Sequence, residues 1–114
     1  MYSVIITSSG SGSRMNLGYN KNLLEIDGEM IIEKTVKKFL SNNLINEIII
    51  TTTSDELKIM KEKLINEKIK FVIGGETRQS SVYEGLKLVT NEYVLVHDGA
   101  RCFITSDLID KIIN

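Results

Sequence analysis

Hydrophobic and polar positions follow two different periods along this chain. Short continuous apolar runs, rich in β-branched residues, occupy residues 3–7, 47–53, 70–73 and 93–97 and predict four strands. Between and after them lie stretches with helical spacing, which predict helices over 30–41, 55–65, 78–89 and 106–113. In the second of these, Leu57, Met60 and Leu64 recur three and four residues apart with Lys and Glu between them. Ser54 is the expected N-cap of that helix, and Leu57 stands where a capping box would have Glu or Gln. The strand runs do not alternate apolar with polar, the pattern of parallel strands covered on both faces. Strand–helix alternation of this kind predicts βαβ units with right-handed crossovers, hence an α/β, mostly parallel, open sheet. The strand from Ser3 is expected inside the sheet with the strand from Tyr93 beside it. The last predicted helix runs to the final residues with no stop signal, and the sheet is expected to be incomplete.

Composition narrows the class. The 114 residues fit one domain, and 42% apolar with 25% charged residues is ordinary for a globular protein with a real core. A net charge of −1 gives no reason to expect a nucleic-acid or membrane surface. No apolar run is long enough to span a bilayer, the N-terminal run has no basic flank, and a cytoplasmic location is expected. The single Cys102 and single His97 exclude an intrachain disulfide framework and a zinc cluster spaced out in sequence. Proline is absent, so turns rely on Gly, Asn, Asp and Ser.

Three segments carry candidate chemistry, each directly after a predicted strand. The first, S-V-I-I-T-S-S-G-S-G-S-R-M over residues 3–15, runs from a β-branched strand into a glycine turn at Gly10 and Gly12, with Arg14 behind it and Lys21 seven residues on. Such a turn presents backbone N–H groups to an anion, and two cations would neutralise a polyphosphate. The alternative is a surface loop with two solvated cations. It is neither a dinucleotide fingerprint, since Met15 holds the third glycine position, nor a P-loop, since no Gly-Lys-Ser/Thr follows. The second is G-G-E-T-R-Q-S-S from Gly74, where glycines permit close approach to a flat base and a helix start offers N–H groups. Its structural alternative is a glycine turn capped by Thr77 or Ser80. The third is V-H-D-G-A-R from Val96, where Asp98 at a strand end suits Mg²⁺ in phosphate chemistry. Asp98 between His97 and Arg101 would equally form a structural ion-pair knot. In an open α/β sheet all three segments fall on the carboxyl edge, where ligands bind at the topological switch point.

Taken together, these motifs resemble those of the 2-C-methyl-D-erythritol 4-phosphate cytidylyltransferase family. S-S-G-S-G-S-R-M with Lys21 resembles A-A-G-x-G-x-R-M…P-K-Q, G-G-E-T-R-Q-S-S-V-Y-E-G-L resembles G-G-x-x-R-x-x-S-V-x-x-G-L, and V-L-V-H-D-G-A-R resembles V-L-V-H-D-A-A-R-P. Ser8-Ser9, Asn20, Asn22, Gly99 and Cys102 depart from the pattern. The same motifs occur in the similar ribitol-5-phosphate cytidylyltransferases. The resemblance implies a Rossmann-like sheet of the nucleotide-diphospho-sugar transferase type with helices on both faces, residues 1–114 being the N-terminal nucleotide-binding part of one domain. It implies transfer of CMP from CTP to a sugar-alcohol phosphate with Mg²⁺ and release of pyrophosphate, in isoprenoid precursor synthesis. Arg14 and Lys21 would be catalytic. Ser8, Ser9, Gly10, Gly12, Gly75, Glu76, Arg78, Ser81, Asp98 and Arg101 would bind CTP, and Asp98 the metal. The longer family members would be homodimers. The rival reading from another class is a nucleotide-binding module without catalysis.

Positioning supplies much of the rate in nucleotidyl transfer, and the acceptor site belongs to a second half in the family pattern. The 114-residue chain is therefore expected to bind CTP weakly and to release no pyrophosphate from CTP, Mg²⁺ and either polyol phosphate. Sustained release by a preparation whose mass matches the chain would mean that the site is complete within these residues.

Overall fold

The computed structural model describes residues 1–8, 25–99 and 105–113. Among them, six strands and four helices follow in chain order: β1 (Tyr2–Thr7), β2 (Glu25–Ile26), β3 (Glu29–Met30), α1 (Ile31–Leu40), β4 (Ile45–Thr52), α2 (Leu57–Lys63), β5 (Ile69–Ile73), α3 (Arg78–Leu86), β6 (Tyr93–Asp98) and α4 (Ser106–Ile113). Four strands form one parallel sheet in the order β5-β4-β1-β6, so β1 is interior and β6 lies beside it, as expected from the sequence. β1 and β4 are buried almost throughout, matching their continuous apolar runs. β5 and β6 are half-buried, because each has one strand neighbour among the described residues.

Side chains of successive strand residues point to opposite faces. Val4, Ile6, Ile48 and Ile50 face α1, α2 and α4 and share a core with Ile32, Val36, Phe39, Met60 and Ile109. Ile5 faces the other way, and α3 lies on it through Gly85. The handedness rule explains the split. The crossovers leading from β1 to β4 and from β4 to β5 step one way across the sheet, and the crossover from β5 to β6 steps back past them, so its helix belongs on the opposite face.

The structure differs from the sequence reading at several element ends. β2 and β3 form a small antiparallel hairpin that the reading missed, turned by Asp27 (φ 56°) and Gly28 (φ 85°). Two successive positive φ values are what an Asp-Gly hairpin turn supplies, so the signal was present in I-D-G-E. Ser54 does not cap α2. The turn opens at Thr53, whose carbonyl accepts from the Glu56 and Leu57 amides and whose hydroxyl donates to Glu56 Oε1 (2.9 Å). α3 stops at Leu86 because the chain tightens there, with the Leu88 amide on the Gly85 carbonyl and Val89 on Leu86.

The amino edge of the sheet is locked by one buried carboxylate. Glu47 on β4 accepts from Ser3 Oγ (2.6 Å), Lys70 Nζ (2.6 Å), the Thr90 amide (2.9 Å) and Thr90 Oγ1 (2.9 Å). Asn91 Nδ2 donates onward to Ser3 Oγ and Asn46 Oδ1. This network joins β1, β4 and β5 to the chain entering β6. Burial alone would raise the Glu47 pKa, but the hydrogen bonds from Lys70, Ser3 and Thr90 outweigh it and hold the carboxyl at about 2 instead of 4.5. A folded-state pKa below the unfolded one stabilises the fold above the unfolded value, and that contribution disappears as pH falls from about 4.5 toward 2. Glu47→Gln is expected to cost about 1–3 kcal/mol near neutral pH and to flatten the loss of stability on acidification across that window. Denaturant titrations at a series of pH values check it, and an unchanged acid slope would remove Glu47 from this role.

Candidate nucleotide site at the carboxyl edge

The three chemistry-bearing segments leave the sheet at the same edge, and hydrogen bonds to neighbouring strands fix each point of departure. The Ser8 amide donates to the Thr51 carbonyl (2.9 Å), Gly74 to Thr52 (2.9 Å) and Gly99 to Thr7 (2.9 Å). Each first residue beyond β1, β5 and β6 is thus tied to the end of the adjacent strand. Thr7 pairs with Asp98 in the β1–β6 register, so Ser8 and Gly99 leave the sheet from neighbouring strand ends. Here the strand order reverses, the place where open α/β sheets bind ligands.

Ser8 is buried and Asp98 half-buried. Strand alternation sets Asp98 on the same face as Ile5, Thr7 and Val96, the face that carries α3. His97 points the other way, its ring edge-on to Phe39 of α1 with centroids 5.2 Å apart. Among the described residues no group of three His, Cys, Asp or Glu side chains forms a metal site by itself. A single carboxylate at a strand end still fits Mg²⁺, which keeps waters and takes one or two carboxylates together with substrate phosphates.

The second segment is built by its own hydrogen bonds. Thr77 caps α3: its Oγ1 accepts from the Ser80 amide (3.0 Å) while the Thr77 amide donates to Ser80 Oγ (3.0 Å). The capping alternative considered from sequence is therefore realised, with both proposed residues taking part. Ser81 is fully buried and its hydroxyl donates to the Gly75 carbonyl (3.2 Å), fastening the turn to the helix. Glu76 and Arg78 are exposed. Arg78 begins α3 and, with Gln79, Val82, Tyr83, Leu86 and Val96, lines an open groove of about 570 Å³ between α3 and β6.

Ser9, Gly10, Gly12, Arg14, Lys21 and Arg101 lie outside the described residues. Sequence reasoning also passed over Thr35, buried on α1, whose hydroxyl donates to the Gly99 carbonyl (2.7 Å). The available signal was a threonine on the buried stripe of Ile32, Val36 and Phe39. Thr52, at the end of β4, is fully buried and its hydroxyl has no hydrogen-bond partner among the described residues. No helix among the described residues is long and apolar enough to cross a membrane.

A doubly wound parallel sheet with three loop-bearing strand ends along one edge, two of them flanking its switch point, defines a Rossmann-like α/β domain. Comparison with known proteins narrows this further. The family described as IspD, 2-C-methyl-D-erythritol 4-phosphate cytidylyltransferase, matches residues 2–114, and the chain belongs to that family. A relative from Prochlorococcus marinus bearing the cytidylyltransferase name is 46% identical over 112 residues, covering 95% of this chain and 50% of that protein. One from Clostridium botulinum (strain Loch Maree) is 43% identical over 115 residues, with 96% and 50% covered. The chain spans about half the length of the curated relatives it matches. Among solved structures, 4-diphosphocytidyl-2C-methyl-D-erythritolsynthase from Anaerococcus prevotii superposes with a TM-score of 0.84 at 37% identity, covering 99% of this chain and 49% of that one. The bifunctional IspDF of Campylobacter jejuni gives 0.83 at 27%, covering 98% and 29%.

Gly75 is required by close approach. A Cβ there would stand 2.2 Å from Ser80 Oγ and 2.6 Å from Ser80 Cβ. Gly75→Ala is expected to displace Ser80, undo the α3 cap and cost about 1 kcal/mol or more in thermal unfolding. Adding Ser80→Gly should return part of that loss, a coupling that a double-mutant cycle reads. Additive effects would mean that Ser80 is not what demands glycine.

Proposed function

We propose that this chain is the nucleotide-binding part of a cytidylyltransferase that transfers CMP from CTP to 2-C-methyl-D-erythritol 4-phosphate. One observation carries the reading: Ser8, Gly74 and Gly99, one from each of the three family motifs, are hydrogen-bonded to the same carboxyl edge of the sheet, and the β1 and β6 ends that precede Ser8 and Gly99 flank the reversal of strand order. Family membership over residues 2–114 supports reading CTP as the ligand of that edge.

In this reading Ser9, Gly10 and Gly12 bring backbone N–H groups to the triphosphate, and Ser8, whose amide is taken by Thr51, opens the same CTP-binding turn. Gly75, Glu76, Arg78 and Ser81 form the cytidine side, with Ser81 holding the Gly75 carbonyl in place. Asp98 holds Mg²⁺, which when bound neutralises phosphate charge, and Arg101 helps to build the same end. No protein nucleophile is needed. An oxygen of the acceptor phosphate forms a bond to the α-phosphorus in line, the bond from that phosphorus to the β-phosphate oxygen breaks, and pyrophosphate leaves with the electron pair. Arg14 and Lys21 stabilise the charge that develops on the phosphoryl oxygens. The reading includes a cytoplasmic setting, and a homodimer for the longer protein.

CTP with Mg²⁺ is expected to raise the melting temperature of the chain, and CTP without the cation to do so less. In a family-length protein carrying these residues, Lys21→Ala is expected to lower turnover about a hundredfold or more while CTP binding changes little. A cation directed at developing charge acts mainly in the transition state. Single-turnover kinetics beside direct titration of CTP separate the two effects. Equal losses would make Lys21 a ground-state phosphate ligand, and no loss a surface lysine.

A further inference from the structure

β6 ends in Asp98, and the next residue, Gly99, is held from two sides. Its amide donates to the Thr7 carbonyl of β1 (2.9 Å) and its carbonyl accepts from Thr35 Oγ1 of α1 (2.7 Å). A threonine inside a helix ordinarily returns its hydroxyl to the carbonyl four residues back. Ile31 offers that carbonyl here at 3.2 Å, but the single hydroxyl proton has a shorter path to Gly99. Thr35 is fully buried, so water does not compete. One turn further along the same helix, Phe39 braces His97, the residue before Asp98. Residues on both sides of Asp98 are therefore gripped by α1, an element in none of the three family motifs.

We propose that Thr35 is a positioning residue for the nucleotide–metal site: its hydroxyl fixes the strand end that carries Asp98 into the carboxyl-edge crevice. The inference rests on the reading of Asp98 as the Mg²⁺–CTP ligand. Asp98 sits on the α3 face of the sheet and Thr35 on the opposite side, so Thr35 acts on it through the backbone of Gly99. A side chain that orients a ligand-bearing backbone alters affinity without touching the ligand, as partners behind metal ligands do.

Thr35→Val keeps the shape and removes the hydroxyl, while Thr35→Ser keeps the hydroxyl and removes the methyl. Two measurements on this chain decide. Amide exchange at Gly99 is expected to speed up about tenfold in the valine variant, with Ile48, Ile49 and Ile50 on β4 unchanged and the serine variant like the parent. Titration with CTP in the presence of Mg²⁺ should show affinity about ten- to a hundredfold weaker for valine and near the parent value for serine. Unchanged exchange at Gly99 in Thr35→Val overturns the proposal. Acceleration spread through α1 and β4 also overturns it, because that marks a packing defect. A parent chain that takes up no CTP counts against the function reading, while the exchange measurement still judges the Thr35 tie.

Discussion

Everything in this fold depends on β1 being a strand with a parallel neighbour on each side and a helix layer on each face. Val4, Ile5 and Ile6 are completely buried, and no residue of β1 from Ser3 onward reaches solvent appreciably. A strand so covered has no free edge and no wet face, so its register against β4 and β6 is strongly determined. That register brings Thr7 level with Thr51 on one side and Asp98 on the other. The crevice at the carboxyl edge is a consequence of this pairing.

The two edges of the sheet do different work. At the amino edge Glu47 gathers Ser3, Lys70 and Thr90 into a polar network, with four hydrogen bonds directed at one carboxylate. Tyr2 adds to that end by stacking near Tyr93 and donating to the Ile113 carbonyl at the end of α4. At the carboxyl edge backbone hydrogen bonds hold the points where loops depart, and Thr35 Oγ1 adds a side-chain tie to the Gly99 carbonyl. The first arrangement secures the crossover into β6. The second ties down the strand ends from which the loops depart, the usual division between scaffold and binding loops in open α/β domains.

The helices contribute unequally. α1 packs its stripe of Ile32, Val36 and Phe39 into the core and also reaches the end of β6 through Thr35. The β2–β3 hairpin leads directly into it: Met30 ends β3, caps α1, and has its amide bound by Glu33 Oε1 (3.0 Å). Glu29 of the hairpin pairs with Lys37 on the outer surface of the helix. α3 places its capped N-terminus at the Gly74–Gly75 turn, and its exposed Tyr83 and Leu86 flank the groove beside Val96.

The chain's local pattern was enough to determine the class of fold. Continuous β-branched runs alternating with helical spacing leave few arrangements other than a parallel sheet covered on both faces, and the four main strands and four helices follow it. The three motif segments were legible for the same reason, since glycines and charges directly after buried strands have few structural uses. Local pattern did not decide where elements stop. α2 begins at Leu57 because Thr53 opens the preceding turn, and the chain after α3 is captured by Glu47 from 43 residues away. The hydrogen bonds of Thr35, Ser81 and Glu47 could not be read there either, because each depends on a partner remote in sequence or on a carbonyl that only the folded backbone brings near. Hydrophobic period is a property of neighbouring residues, and a buried hydrogen bond between distant ones exists only after the strands have paired.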